Sequence, residues 1–168
     1  MKKFVDRNKE LSFLEDEYQR KASSLVIIYG RRRTGKTALL SRFLQDKDGL
    51  YFLASEESET VNRNNFAAAA LEYINVECSD TNKEQTVNFH VWDDIFRYIL
   101  MKKEKPLILI DEFQYLGKVN PAFHSILQRI WDTLLKDSSA MVVLCGSLIS
   151  MMKSQTLNYS SPLYGRRT

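Results

Sequence analysis

The sequence contains little cysteine, proline or glycine, and each shortage excludes a class of protein. It has 2 cysteines, 3 prolines and 6 glycines in 168 residues. Cys78 and Cys145 stand far apart, without the CxxC spacing of a zinc or redox site and without the cysteine density of a disulfide-stabilised secreted domain. So few prolines and glycines leave no collagen-like tract and no obvious linker. These shortages favour one domain, residues 1–168, in a reducing cytoplasm.

A strong charge surplus and a long hydrophobic run are also missing. The 24 Lys and Arg residues against 21 Asp and Glu residues give a net charge of +3, too small to indicate nucleic-acid binding on charge alone. The longest uncharged stretch, residues 138–152, contains Ser and Gly and is shorter than the roughly 18–20 apolar residues of a membrane helix. The basic residues at the start precede no apolar segment of the kind found in signal peptides. We therefore expect no membrane association.

Four apolar runs alternate with helical patterns along the chain. The runs are residues 25–29, 50–54, 107–110 and 141–145. Each is short and rich in β-branched residues or leucine, which is typical of a strand covered on both faces in a parallel sheet. Apolar residues at helical spacing begin near Leu11, Phe66, Val91 and Phe123. The alternation predicts an α/β fold, namely a three-layer α/β/α sandwich around a mainly parallel sheet.

A glycine-rich segment follows the first apolar run directly. It reads Gly30-Arg31-Arg32-Arg33-Thr34-Gly35-Lys36-Thr37 and continues into Ala38. The segment matches GxxxxGK(S/T) at every fixed position and lies between a predicted strand and a predicted helix, which is the context of a phosphate-binding loop. An ordinary glycine-rich turn, the alternative, would not require the Gly-Lys-Thr triplet. We call residues 30–37 the phosphate loop and expect residues 30–38 to bind a nucleotide.

Each residue type in the phosphate loop has a physical purpose. The two glycines let successive backbone N–H groups turn toward a phosphate at the positive end of a helix. Lys36 is expected to offer its charge to the β- and γ-phosphates, and the Thr37 hydroxyl is expected to ligate Mg²⁺. Arg31, Arg32 and Arg33 are expected either to form a solvated basic tip or to place one guanidinium on a phosphate or a partner.

An acidic pair, Asp111-Glu112, ends the third apolar run. A carboxylate at the carboxyl end of a parallel strand points into the crevice where ligands bind, so Asp111 is expected to hold Mg²⁺ through water. Glu112 is expected to orient and deprotonate an attacking water, which favours hydrolysis over phosphoryl transfer to a small molecule. The alternative is that the pair merely ends a buried strand at the surface. That alternative would not explain why the phosphate loop and the acidic pair occur in this order along the chain.

The fourth apolar run leads into Gly146-Ser147. Some P-loop ATPases carry a glutamate directly after the metal-binding aspartate. In these proteins a further strand lies between the strand before the phosphate loop and the strand before the acidic pair. That further strand ends in a polar residue that senses the γ-phosphate. Ser147 stands at that place and is the expected sensor. Cys145 has no basic partner nearby in the sequence, so we expect a small buried residue and not a nucleophile.

Together these segments resemble the AAA-like P-loop ATPases of archaea and bacteria, a family related to the STAND class of signalling NTPases. YGRRRTGKT is similar to the family's Walker A motif, LILIDEFQYL to its Walker B motif and GSLISMM to its sensor region. FVDRNKELSFLEDEY resembles its adenine-side entry segment, and SPLYGRRT its basic tail. The resemblance spans nearly the whole chain. It implies an ATPase core of the Walker-B-glutamate type, to which family members add a winged helix and often a nuclease-like domain.

The resemblance also implies roles that the residues alone do not. Phe4, Val5 and Arg7 would lie near the base or its ribose. Arg166 or Arg167 would act as an arginine finger or a sensor arginine, the alternative being two arginines in a frayed chain end. The fold class usually adds a fifth strand beyond the phosphate-loop strand and a helical lid, so the 168 residues are expected to be the core of a longer architecture.

The sequence therefore predicts a cytoplasmic, Mg²⁺-dependent ATPase core that binds ATP and ADP and serves as a switch or motor for an attached module. Its catalytic residues would be Glu112, Lys36, Ser147 and Arg166, and Thr37 and Asp111 would hold the metal. Two alternatives stay open: a nucleotide-binding signalling switch with negligible turnover, and a nucleic-acid-associated ATPase that uses Arg31, Arg32 and Arg33 together with the basic tail. A second copy of the chain or additional C-terminal domains are the expected protein partners.

Overall fold

Four parallel strands form the central sheet in the part of the chain that the structure describes. The computed structural model describes residues 7–75, 88–157, 163 and 165. The strands are β1 (Ser24–Tyr29), β2 (Leu50–Leu53), β3 (Leu107–Asp111) and β4 (Met141–Gly146). They pair in the order β1-β4-β3-β2, every pair parallel. The last strand along the chain, β4, therefore lies between β1 and β3, which is the place predicted for the strand that leads to Ser147. Among the described strands, β1 lies at one edge.

Seven α-helices flank the sheet in the part of the chain that the structure describes. They are α1 (Asn8–Gln19), α2 (Lys36–Leu44), α3 (Glu59–Asn75), α4 (Trp92–Lys102), α5 (Gln114–Val119), α6 (Phe123–Ile130) and α7 (Ile149–Met152). Both α6 and α7 continue into a π-helical turn, at Trp131–Leu135 and Lys153–Leu157. The backbone N–H of Lys136 reaches the carbonyl of Trp131 at 2.9 Å. The helix predicted from Phe123 onward is thus wider in its last turn than an α-helix.

Alternate side chains of the strands enter two separate apolar cores. Leu109 and Val143 pack with side chains of α1 and α2, whereas Ile108 and Val142 pack with side chains of α3, α4 and α6. Because successive residues of a strand face opposite sides, both faces of the sheet are covered, and β3 and β4 are buried along their whole length. The predicted three-layer sandwich is confirmed, and each predicted strand agrees with an observed one to within one residue at either end.

The parallel arrangement brings the four carboxyl ends of the strands to one end of the sheet. There β1 leads into Gly30, β3 ends at Asp111 and β4 leads into Ser147. Three segments that are far apart in the sequence therefore meet, as expected for ligand sites of parallel sheets. None of the helices within the described ranges combines the length and the apolar character needed to cross a membrane.

Candidate functional site

The phosphate loop turns tightly into the first turn of α2. Gly35 is the N-cap of this helix and has a backbone φ of 82°, a left-handed conformation that glycine adopts without steric cost. Arg33 also has a positive φ, of 62°, which costs about 1–3 kcal/mol for a residue with a side chain. No side chain of the described residues caps α2, so its first backbone N–H groups are available to an anion.

The ammonium group of Lys36 lies inside the phosphate loop. Its Nζ donates hydrogen bonds to the carbonyl of Gly30 at 2.9 Å and to the carbonyl of Arg31 at 2.7 Å. Only 7% of the residue is exposed. A phosphate that entered the loop would offer Lys36 charged oxygens in exchange for these neutral carbonyls, and hydrogen bonds between charged partners are the stronger ones.

Two arginines tie the phosphate loop to neighbouring elements. Arg32 is exposed and donates from Nη2 to the hydroxyl of Tyr115 in α5 at 2.8 Å. Thr34 is held from both sides, since its hydroxyl donates to the carbonyl of Arg31 at 2.8 Å and its own carbonyl accepts a hydrogen bond from the guanidinium of Arg7. Arg7, which the resemblance places near the base or ribose, thus contacts the phosphate loop.

Two oxygen groups suited to magnesium meet next to the loop. The Thr37 hydroxyl donates a 2.9 Å hydrogen bond to Oδ2 of Asp111. The Asp111 side chain is buried, and its Oδ1 accepts a 2.9 Å hydrogen bond from the backbone N–H of Glu112. Mg²⁺ takes oxygen ligands, keeps several waters and needs few protein groups besides the phosphates. The Thr37–Asp111 pair fits such a site. Groups of three or more His, Cys, Asp or Glu that could hold a metal do not occur among the residues described.

Tyr51 is a further residue of this site that the sequence does not single out. Its hydroxyl donates to Oδ2 of Asp111 at 2.8 Å. Leu53 of β2 lies opposite Asp111 of β3, and Tyr51, two residues earlier, shares the same face of the sheet. Burial raises the pKa of Tyr51, and its hydrogen bond to Asp111 raises that pKa further, so the phenol stays protonated and donates at neutral pH.

Glu112 has a strained backbone, and its carboxylate accepts two hydrogen bonds. Its φ is 52°, in the left-handed region that residues with side chains rarely adopt and that clusters at functional sites. Oε2 accepts a 2.7 Å hydrogen bond from the hydroxyl of Ser147 and another from the side-chain amide of Gln114. The predicted base and the predicted sensor are therefore in direct contact. Gln114 is a third member of this group, and no sequence pattern identified it.

The thiol of Cys145 lies close to the carboxylate of Asp111. Burial raises its pKa, and the nearby charge of Asp111 raises that pKa further. The thiol is free and buried, so Cys145 is a neutral packing residue at physiological pH, in keeping with the expectation from the sequence.

A cavity of about 600 Å³ opens beside the phosphate loop. Its walls are formed by α1, by β1 and by the loop itself, and they include Arg7, Phe13, Val26, Gly30 and Lys36. This volume lies within the range of small-molecule sites. Because Gly30 and Lys36 belong both to the cavity wall and to the phosphate loop, one ligand can occupy the cavity with an apolar portion and extend an anionic portion into the loop.

The structure brings most of the predicted site residues to one end of the sheet. These are Arg7, the phosphate loop with Ala38 in the first turn of α2, Asp111, Glu112 and Ser147. Phe4, Val5, Arg166 and Arg167 lie outside the described residues, so their roles stay predictions.

Relatives of this chain occur among known protein sequences. A family model described as an ATPase domain predominantly from Archaea matches residues 4–168. An uncharacterized protein of Methanocaldococcus jannaschii is 36% identical over 165 residues, which make up 98% of this chain and 34% of that protein. An uncharacterized ATP-binding protein of the same organism is 50% identical over 44 residues, or 26% of this chain and 75% of that protein.

A solved structure shares the fold. A Walker-type ATPase of Pyrococcus abyssi superposes with a TM-score of 0.66 at 19% sequence identity, over 95% of this chain and 51% of that chain. The chain thus spans about a third of the length of the first Methanocaldococcus relative and about half of the Pyrococcus protein.

Proposed function

The chain belongs to the family of ATPase domains found predominantly in Archaea, and on that basis we propose a Mg²⁺-dependent ATPase core that binds ATP and hydrolyses its γ-phosphate. The observation that carries the proposal is the 2.9 Å contact between the hydroxyl of Thr37 and the carboxylate of Asp111. This contact joins the phosphate loop to the acidic pair, so that one bound triphosphate would meet an anion-binding helix terminus and two metal-binding oxygens together.

The nucleotide is proposed to lie across the cavity and the phosphate loop. The base and ribose would occupy the cavity of about 600 Å³ against Phe13 and Arg7. The phosphates would receive the backbone N–H groups at the start of α2, together with the ammonium of Lys36. Lys36 is already surrounded by the loop, so it would exchange partners without a large movement of its side chain.

Thr37 and Asp111 are the residues that would hold magnesium. When bound, Mg²⁺ neutralises charge on the β- and γ-phosphate oxygens. The chain's own contribution is to orient the two ligands: the buried Asp111 carboxylate receives hydrogen bonds from Thr37, Tyr51 and the Glu112 backbone. These donors fix the carboxylate while the hydroxyl of Thr37 remains beside it.

Glu112 is proposed as the general base. Its Oε2 is occupied by Ser147 and Gln114, which leaves Oε1 to accept a proton from water. As that proton moves to Oε1, the water oxygen bonds to the γ-phosphorus and the bond from phosphorus to the bridging oxygen of the β-phosphate breaks. Ser147 is proposed to sense the γ-phosphate from its place beside Glu112. Arg166 is proposed to neutralise the charge that grows on the γ-phosphoryl group.

Glu112→Gln tests the proposed base. Turnover is expected to fall about 10²–10⁴-fold, the usual contribution of a general base, while ATP affinity is retained because the amide keeps the size of the side chain. The exposed Glu72 of α3 provides the matched control, Glu72→Gln. Equal ATP hydrolysis by wild type and Glu112→Gln would show that another group activates the water.

Lys36→Ala tests the phosphate loop separately from catalysis. ATP should raise the melting temperature of the wild type through binding to the native state, and this increase is expected to disappear in the variant. Lys102→Ala, which changes an exposed lysine at the end of α4, is the control. An ATP-induced increase that is the same in Lys36→Ala and wild type would overturn the proposed binding mode.

A nucleotide-binding switch with negligible turnover is the second candidate. It follows if Arg166, which is proposed to act on the γ-phosphoryl group, does so only from a second copy of the chain, so that a single copy binds ATP without the complete catalytic site. ATP binding without measurable hydrolysis by the wild type would select this candidate. Either activity is proposed to act on an attached module, because the chain spans 34% of the length of a Methanocaldococcus relative. A cytoplasmic location is proposed from the sequence, which has 2 cysteines far apart.

A further inference from the structure

We infer that Gln114 is a positioning residue for Glu112, and that its side-chain amide holds the carboxylate in the orientation that a base requires. The inference rests on the proposed role of Glu112. Gln114 is the first residue of α5 and is fully buried. Its Nε2 donates to Oε2 of Glu112, the same oxygen that accepts the 2.7 Å hydrogen bond from Ser147.

Two donors on one oxygen fix the carboxylate. Ser147 approaches from the end of β4 and Gln114 from α5, so the oxygen is held from two different elements of the fold. The terminal torsion of a glutamate is otherwise broad, and a base acts only within hydrogen-bond reach of the proton it removes. With Oε2 anchored, Oε1 has a defined direction.

The fold in turn holds Gln114 in place. Gln155, in the π-helical turn after α7, donates from Nε2 to the backbone carbonyl of Gln114 at 3.3 Å. Gly146 leaves room for the amide, because a Cβ at that position would lie 2.4 Å from Oε1 of Gln114 and 2.3 Å from Sδ of Met152. The amide group therefore has little space in which to rotate away from Glu112.

The orientation of the amide follows from charge. Turning it over would place Oε1 against the Glu112 carboxylate and bring two acceptors together. In the observed orientation Oε1 is buried without a hydrogen-bond partner among the described residues. Such an oxygen is destabilising, and a buried residue with only a packing role would be better served by methionine or leucine. The polar side chain at this position is explained by the donor that it directs at Glu112.

Gln114→Met tests the inference, since it keeps the length of the side chain and removes the donor. We expect kcat for ATP to fall about tenfold to a hundredfold, the size of effect that misplacing a catalytic group produces. The KM for ATP and the affinity for ADP should stay at wild-type values and the melting temperature should not fall, which a merely structural role would not predict. Gln128→Met in α6 is the matched control. A Gln114→Met protein with wild-type kcat overturns the inference, whereas equal turnover of Glu112→Gln and wild type overturns the proposed base.

A second measurement requires neither turnover nor the methionine variant. In the ¹⁵N-labelled wild-type protein, the assigned side-chain NH₂ of Gln114 is expected to exchange slowly with solvent and to shift in Glu112→Ala. The exposed amide of Gln45 serves as the internal reference. Exchange of the Gln114 amide as fast as that of Gln45, together with an unchanged resonance in Glu112→Ala, would overturn the inference even if the protein hydrolyses ATP.

Discussion

The hydroxyl of Thr37 lies 2.9 Å from Oδ2 of Asp111, although the two residues are 74 positions apart in the chain. They meet because the first turn of α2 lies over the carboxyl end of β3, on the face of the sheet that α1 and α2 cover. A parallel sheet makes this approach possible without a long loop, since the carboxyl ends of all its strands point the same way.

Thr37→Val should weaken ATP binding mainly in the presence of magnesium. Valine keeps the shape of threonine and lacks the hydroxyl, so one proposed metal ligand is lost. We expect the affinity for ATP with Mg²⁺ to fall by at least about tenfold, and the affinity in EDTA to change little. Titration calorimetry under both conditions measures this difference, with Thr60→Val on α3 as the control. Equal losses with and without Mg²⁺ would contradict the proposed metal site.

Phe13→Ala should separate base binding from phosphate binding. Phe13 lines the cavity and is 45% exposed, so truncation removes apolar contact area that a base would use. We expect the affinity for ATP to fall about tenfold, or roughly 1.4 kcal/mol, and the affinity for inorganic tripolyphosphate to be unchanged. Val61→Ala, at an exposed apolar residue of α3, is the control. Unchanged ATP affinity would mean that the base binds outside this cavity.

Gly146→Ala should destabilise the fold through overpacking. A Cβ would lie 2.4 Å from Oε1 of Gln114, and neither the buried amide nor the packed Met152 can give way easily. We expect the free energy of unfolding to fall by about 1–3 kcal/mol, measured by urea denaturation without nucleotide. Gly30→Ala is the matched control, because its Cβ would meet its nearest neighbour at 3.5 Å. Similar losses in both variants would contradict the packing argument.

Stability should fall above pH 10 because buried tyrosines retain their protons in the folded state. Burial raises the pKa of Tyr73 from 10.0 to about 12. Above pH 10 the unfolded chain therefore binds fewer protons than the folded one, and the free energy of unfolding decreases as pH rises. Tyr73 contributes fully to the free energy of unfolding below pH 10, and this contribution is lost between about pH 10 and pH 12. The free energy of unfolding then falls by no more than about 1.4 kcal/mol per pH unit on account of Tyr73.

Urea denaturation across that pH range, with wild type and Tyr73→Phe, checks this expectation. The variant should lose stability less steeply as pH rises. A residual slope is expected from Tyr51 and Cys145, since burial raises the pKa values of both groups. Parallel curves for the two proteins would show that Tyr73 is not the source.

The strands and the phosphate loop could be predicted because their signals are local. An apolar run such as residues 107–110 indicates a buried strand by itself, and the two glycines, Lys36 and Thr37 act at fixed spacing within one loop. Tyr51 could not be predicted, because its contact with Asp111 depends on β2 lying beside β3. Gln114 depends on the positive φ of Glu112, which turns the chain after β3. Contacts of this kind arise from strand order and backbone path, which no single segment encodes.

The pairing of β1 with β4 has a consequence for biosynthesis. Within the described ranges β1 pairs only with β4, from Ser24 opposite Met141 to Tyr29 opposite Gly146. The phosphate loop therefore leaves the ribosome early, while the strand that supports it follows more than a hundred residues later. Contacts across so long a stretch close slowly, because the intervening chain must lose entropy first. We therefore expect that cellular ATP does not stabilise the nascent chain until β4 has left the ribosome.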